Sequence, residues 1–203
     1  MPHPLRSWDE KGLYHVIFKG NFGQPIVSDR EERRELQRRL DAAAAKFGVV
    51  VLVFCCMDTH VHLLIRVGEG NVSQAMQELI GGYARWRNRR HGVRGNLFRS
   101  RFWSKVVRND AQLWATARYI ELNPVAAGMR SNPEDWEWSS CRAHLGRAHP
   151  PRFLSGAEFL LFFGTDPARA RSRWARFLRD GIPAARAKNL PDVPAWVDVP
   201  THA

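Results

Sequence analysis

Several broad classes of protein are argued against by what this sequence has little of. Cysteine is scarce: Cys55, Cys56 and Cys141 are the only ones, and two of them adjoin inside an apolar run. That pattern argues against a disulfide scaffold and against a cysteine-based zinc site. Long apolar stretches are also missing, since the longest, Val49 to Met57, is too short to span a bilayer. The opening MPHPLRSWDEKG has no apolar signal region, so a cytoplasmic protein is expected, nucleoid-associated if it binds DNA. No internal repeat is evident. Acids are the last deficit: 20 Asp and Glu face 31 Lys and Arg, a net charge of +11. Between Leu79 and Asn109 there is no acid at all. That imbalance points to a polyanionic partner, nucleic acid before membrane.

What is present suffices for one domain with a small appendage: 203 residues, 44% of them apolar. YHVIFKG at 14–20 reads as a strand closed by a Gly-Asn-Phe-Gly turn. Ser28-Asp29 offers an N-cap to a helix with Leu36, Leu40, Ala44 and Phe47 on one face, ending at Gly48. VVVLVFCCM at 49–57 has the β-branched, unbroken apolar character of a buried central strand. HVHLLIRV follows as its hairpin partner. Gly70-Asn71-Val72-Ser73 opens a second helix bearing Met76, Leu79, Ile80 and Tyr83. FWSKVV is a fourth strand. A third helix starts after Asn109-Asp110 and is expected to break at Asn123-Pro124. This order predicts an α+β, ferredoxin-like antiparallel sheet with helices on one face and the other face free for a ligand. Residues 1–146 form the expected main domain, the one that carries any catalytic site. Residues 147–203 form a linker, a short helical extension and a mobile tail from Pro183.

Three features could carry chemistry. His60 and His62 are two apart on a strand, so their imidazoles project from one face and could begin a metal site. Two exposed polar residues on a solvated sheet are the bland alternative. Tyr119 and Asn123 are four apart and share a helix face. If that helix crosses the free sheet face, Asn123 could offer an amide oxygen and Tyr119 a phenol. Otherwise they are a packing residue and a helix cap. Arg85, Arg87, Arg89, Arg90, Arg94, Arg99, Arg101, Lys105 and Arg108 are interleaved with Tyr83, Trp86, Phe98, Phe102 and Trp103. Cations neutralise phosphates and aromatic faces stack unpaired bases, a combination suited to single strands.

The stretches YHVIFKGNFGQPIV (14–27), MDTHVHLLIRV (57–67), NRRHGVRGNLFRSRFWS (88–104), RYIELNPVAAGM (118–129) and PEDWEWSSCRAHLG (133–146) occur in one order. In that order the chain resembles the IS200-like single-tyrosine transposases of the HUH endonuclease superfamily, and among them the REP-associated tyrosine transposases. The resemblance implies that His60 and His62 are metal ligands, that Asn123 is the third, and that Tyr119 is the nucleophile. It implies Mg²⁺ or Mn²⁺ as the metal and single-stranded DNA carrying palindromic hairpins as substrate, acted on by a monomer or homodimer through a 5′-phosphotyrosine. Lys19, with the basic segment from Arg85 to Lys105, becomes a candidate for phosphate contact. His91 is expected to face DNA or solvent. Asp58 is read as a turn residue, and Trp136 and Trp138 as packing residues. Two other classes stay open: a domesticated single-strand DNA-binding protein with little or no catalysis, and a basic RNA-binding module with a structural histidine pair.

Overall fold

The computed structural model describes residues 8–68 and 71–187. Gly70 and the tail beyond 187 lie outside them. Strands β1 (Leu13–Lys19), β2 (Val50–Cys56), β3 (His60–Arg66) and β4 (Trp103–Val107) form one antiparallel sheet in the order β2-β3-β1-β4. Helix α1 (Arg30–Lys46) joins β1 to β2, α2 (Val72–His91) joins β3 to β4, and α3 (Asp110–Ala126) follows β4. The first and second βαβ-type connections therefore interleave, as a ferredoxin-like fold requires.

The caps are those expected of these residues. Asp29 accepts from the Glu32 amide, Asn71 from Gln74 and Asn109 from Gln112, each relieving an unpaired first-turn donor. Gly92 closes α2 in the left-handed conformation, φ 64°. Leu36, Leu40, Ala43 and Ala44 of α1 and Met76, Leu79 and Tyr83 of α2 are buried at helical spacing. Tyr14, Val16 and Phe18 of β1 and Val61, Leu63 and Ile65 of β3 lie on the sheet face beneath these two helices.

Three expectations need correction. Helices do not keep to one face: α3 lies across the opposite one, against β2 and β3. Pro124 does not end α3, which runs on to Ala126. The proline sits in the final turn, and the Ala127 amide still reaches the Asn123 carbonyl at 2.9 Å. The apolar strand β2 is not central but terminal in the order. Its outer edge is nonetheless closed, by an antiparallel bridge from Cys55 to Ser139 and a parallel one from Val51 to Leu154. The Cys56 amide donates to the Trp138 carbonyl, and the Ser155 amide to the Val51 carbonyl. An edge strand covered in this way has the burial of an inner one, and hence its composition.

The C-terminal region is packed onto this core through α4 (Cys141–His144), α5 (Gly156–Leu161), α6 (Pro167–Asp180) and α7 (Ile182–Arg186). Helix α5 meets β2, while α6 and α7 meet α3. Pro183 stands in the first turn of α7 instead of opening an extended tail, because that position needs no amide donor.

Candidate functional site

The pairing register decides which side chains meet beneath α3. In β3, His60 and His62 share a face. Lys19 pairs with His60, Ile17 with His62 and His15 with Leu64, so β1 presents Lys19 and His15 to that same face. Helix α3 lies over it with Tyr119 and Asn123 on its underside.

The result is a compact polar cluster. His60 Nε2 and Asn123 Oδ1 are 3.2 Å apart, and His60 Nδ1 lies 2.9 Å from Thr59 Oγ1. The Tyr119 ring stands edge-on to His62, centroids 5.4 Å apart, and to His15 at 6.0 Å. Tyr119 is only 6% exposed. His15 Nε2 and His62 Nδ1 are hydrogen-bonded at 3.0 Å. With Nδ1 engaged, the remaining nitrogen of His62 is the one that can face a ligand.

Burial dominates the titration of both inner rings. It pushes His15 down to about 3, with the positive charge of Lys19 adding to the effect. It pushes His62 well below the usual imidazole range, aided by His60, His15 and Lys19. Both are therefore neutral at ordinary pH, the form in which imidazole binds metals.

Whether a divalent cation fits can be judged from these donors. Among the described residues no group of three His, Cys, Asp and Glu side chains could hold a metal. Two imidazoles and the Asn123 amide oxygen do converge, which makes a neutral set with too few oxygens to satisfy Mg²⁺ or Mn²⁺ alone. Oxygens from a phosphate and water would complete it. The residues fit a cation that arrives with, or is completed by, a phosphodiester. Asp58 does not add charge here: its carboxylate pairs with Arg33 of α1, and its carbonyl accepts from Ile26 and Val27 in the turn.

His60 opens into a cleft of about 770 Å³ that is also lined by Lys19, Thr59, Phe22 and Arg99. The other candidate cations are divided. Lys105 is opposite His15 in the β1–β4 ladder. Arg101 lines a separate groove of about 530 Å³ beside Met76 and Ile80. Arg85, Arg89 and Arg94 are exposed. Arg87 and Arg90 are engaged by α1: Arg87 reaches Glu32 at 3.3 Å, and Arg90 reaches Asp29 at 2.8 Å and Glu31 at 3.0 Å. His91 is bonded to Glu32 at 2.5 Å instead of facing solvent alone. Burial would raise the Glu32 carboxyl, but His91, the Ser28 amide and Arg87 together hold it below its ordinary value. An acid-free segment in the sequence thus meets its acids from α1 in the fold.

The interleaved aromatics are mostly core. Tyr83 is fully buried and donates to the Ile26 carbonyl at 2.8 Å, so it cannot stack a base. Phe98 is buried against Phe18 and Tyr83, and Phe102 is buried beside Trp8. Trp136 and Trp138 pack as expected, with the Arg33 guanidinium 5.1 and 5.5 Å from their rings. His15 was not among the expected site residues. Its sequence signal, a histidine two positions from Ile17 and four from Lys19, acquires meaning only once β1 is registered against β3.

The model of the family described as IS200-like transposases matches residues 10–123, more than half of the chain. The chain belongs to that family. A Haemophilus influenzae protein named as a REP-associated tyrosine transposase is 27% identical over 157 residues, covering 69% of this chain and 85% of the relative. The solved structure of a REP-associated tyrosine transposase bound to a REP hairpin superposes with a TM-score of 0.61 at 18% identity. It covers 77% of this chain and 92% of the other, and so shares the fold of this transposase-family member. No helix among the described residues is long and apolar enough to cross a membrane.

Proposed function

We propose that this transposase-family chain is a metal-dependent nicking and joining enzyme for single-stranded DNA at hairpin-flanked, REP-like sites. The observation that carries the reading is the placement of Tyr119 and Asn123, one helical turn apart, over the two strand histidines. A phenol, two imidazoles and an amide oxygen beside a cation-lined cleft are suited to phosphodiester chemistry and poorly suited to mere packing.

In this reading the phosphodiester enters along Lys19 and Arg99, whose charges offset those of the backbone. Tyr119 Oη attacks phosphorus and the bond from phosphorus to the 3′ oxygen breaks. The products are a 5′-phosphotyrosine and a free 3′-hydroxyl, which gains the proton the phenol loses. Attack by another 3′-hydroxyl reverses the step and joins new ends, so no nucleotide cofactor is consumed. His60, His62 and Asn123 would hold Mg²⁺ or Mn²⁺, which when bound supplies positive charge to polarise a phosphate oxygen. His15 holds the His62 ring in orientation, and α3 keeps the phenol at the site.

The test is covalent capture. The protein and its Tyr119→Phe variant are mixed with Mn²⁺ and labelled single strands from the flanks of the coding region, then resolved on a denaturing gel. Label moving to protein size only with metal and only with Tyr119 supports the proposal. Binding by both proteins with an adduct from neither would favour the non-catalytic binding protein. The same strand bound equally well as RNA, again without an adduct, would favour the RNA-binding module.

A further inference from the structure

One residue at the mouth of the cleft is unexplained by packing. Phe22 is 89% exposed, the most exposed large apolar side chain of the described residues. It also holds φ 50° and ψ 31°, a left-handed conformation that a bulky residue rarely adopts. The segment that carries it is firmly anchored. Gly20 donates to the Thr59 carbonyl at 2.8 Å and Asn21 to the Leu97 carbonyl at 2.9 Å, tying the turn to both the histidine hairpin and the basic segment. A Cβ on Gly20 would lie 2.0 Å from the Gln24 carbonyl, so the tight turn depends on that glycine. The ring is therefore fixed outward by its backbone.

The surroundings indicate what would cover it. Phe22 lines the same cleft as His60, with Lys19 and Arg99 on the lip, and no carboxylate is among the lining residues. The Arg99 amide donates to the Lys19 carbonyl at 3.1 Å, which holds the two basic residues on adjoining segments. An aromatic face between cations calls for a partner that is flat, unpaired and attached to phosphate. We propose that Phe22 is a base-stacking subsite for the nucleotide next to the phosphate at His60, in a single strand of DNA. The subsite rests on the nucleic-acid reading above and adds a part to it. Of the aromatics of the basic segment, Tyr83, Phe98 and Phe102 are buried in the core and Trp86 and Trp103 are half-buried, whereas the Phe22 ring is almost wholly open. Stacking of this kind tolerates any base, so Phe22 would hold the strand in place without reading its sequence.

Binding of a labelled twelve-residue thymidine strand is compared with binding of a fully abasic strand of equal length, without metal. The variants are Phe22→Ala, Phe22→Leu and Phe22→Trp. Because the side chain is exposed, all three should fold. The expected result is a loss of roughly 5- to 100-fold on the thymidine strand for Phe22→Ala. Phe22→Leu should lose nearly as much, Phe22→Trp should retain affinity, and no variant should lose affinity on the abasic strand. An equal loss on both strands, no loss on either, or a shift of Phe22→Ala from dimer to monomer in sedimentation would overturn the proposal. Because the readout is metal-free binding, these outcomes are independent of whether Tyr119 forms a covalent adduct.

Discussion

Helix α3 carries two polar clusters that look alike in burial and differ in access. On one face, Tyr119 and Asn123 meet His15, His60 and His62. On the other, Glu121 Oε1 accepts from Ser140 Oγ and is bonded to His144 Nδ1, both at 2.6 Å, with His144 stacked on Phe159 at 4.3 Å. Each cluster leaves buried polar atoms without a partner: His15 Nδ1 in the first, Glu121 Oε2 and His144 Nε2 in the second. Unsatisfied buried atoms therefore do not separate the two. What separates them is that His60 opens to a cleft lined by Lys19 and Arg99, whereas Glu121 of α3 and Ser140 and His144 at the two ends of α4 are wholly buried. The first cluster is open to solvent at His60, and the second is closed on every side. On the proposed reading, chemistry belongs to the accessible cluster, and docking of the C-terminal region onto α3 to the sealed one.

The strongest way to break this contrast is a pair of nearly shape-preserving substitutions two residues apart. Tyr119→Phe should abolish the covalent adduct outright while leaving the thermal midpoint essentially unchanged. Glu121→Leu should do the reverse. It leaves His144 Nδ1 without its buried partner, while Ser140 Oγ keeps the Phe54 carbonyl, at a cost of roughly 1–3 kcal/mol. That corresponds to about 2–4 °C for each kcal/mol in a chain of this length. The adduct yield per folded molecule should stay at the parental level. Calorimetry and the denaturing gel together check both halves. An adduct lost in Glu121→Leu at a temperature where the protein is folded would show that the sealed cluster is coupled to the reaction.

A second, smaller effect probes how far the accessible cluster extends. His15→Gln removes the ring that engages His62 Nδ1 and keeps a side chain able to hydrogen-bond. If His15 orients a metal ligand, the Mn²⁺ concentration giving half-maximal adduct should rise about 10- to 100-fold. Metal-free strand binding should hold. A His15→Gln protein with unchanged metal dependence would reduce this ring to packing.

The sequence made much of this visible, and its misses share a cause. The element order, the caps at Asp29, Asn71 and Asn109, and the shared face of Tyr119 and Asn123 depend on neighbours within a turn or two, so spacing reveals them. His15 depends on which residue of β3 lies opposite β1, and a shift of one position would have sent it to the other face. The edge placement of β2 was hidden because Ser139 and Leu154, far along the chain, bury its free side. Phe22 reads as an ordinary turn residue, and only its exposure and φ mark it out.

The basic segment between Leu79 and Asn109 gives the finest division between the two kinds of polar group. Read linearly, its arginines are equivalent. In the fold, Arg90 lies among Asp29, Glu31 and Glu32, while Arg99 lines the cleft with His60. A phosphate approaching Arg90 must compete with carboxylates already at about 3 Å, whereas Arg99 lines the cleft beside His60 and Lys19. The salt dependence of single-strand binding distinguishes these cases, because each phosphate neutralised contributes about 0.7 to the slope of log affinity against log salt. Arg99→Ala should flatten that slope by about 0.7 and weaken binding several-fold at low salt. Arg90→Ala should leave the slope alone and instead loosen the contact between α1 and α2, lowering the thermal midpoint slightly. Equal slope changes in the two variants would mean that the strand runs along α2 as well as through the cleft, and that the ion pairs with α1 open when DNA binds.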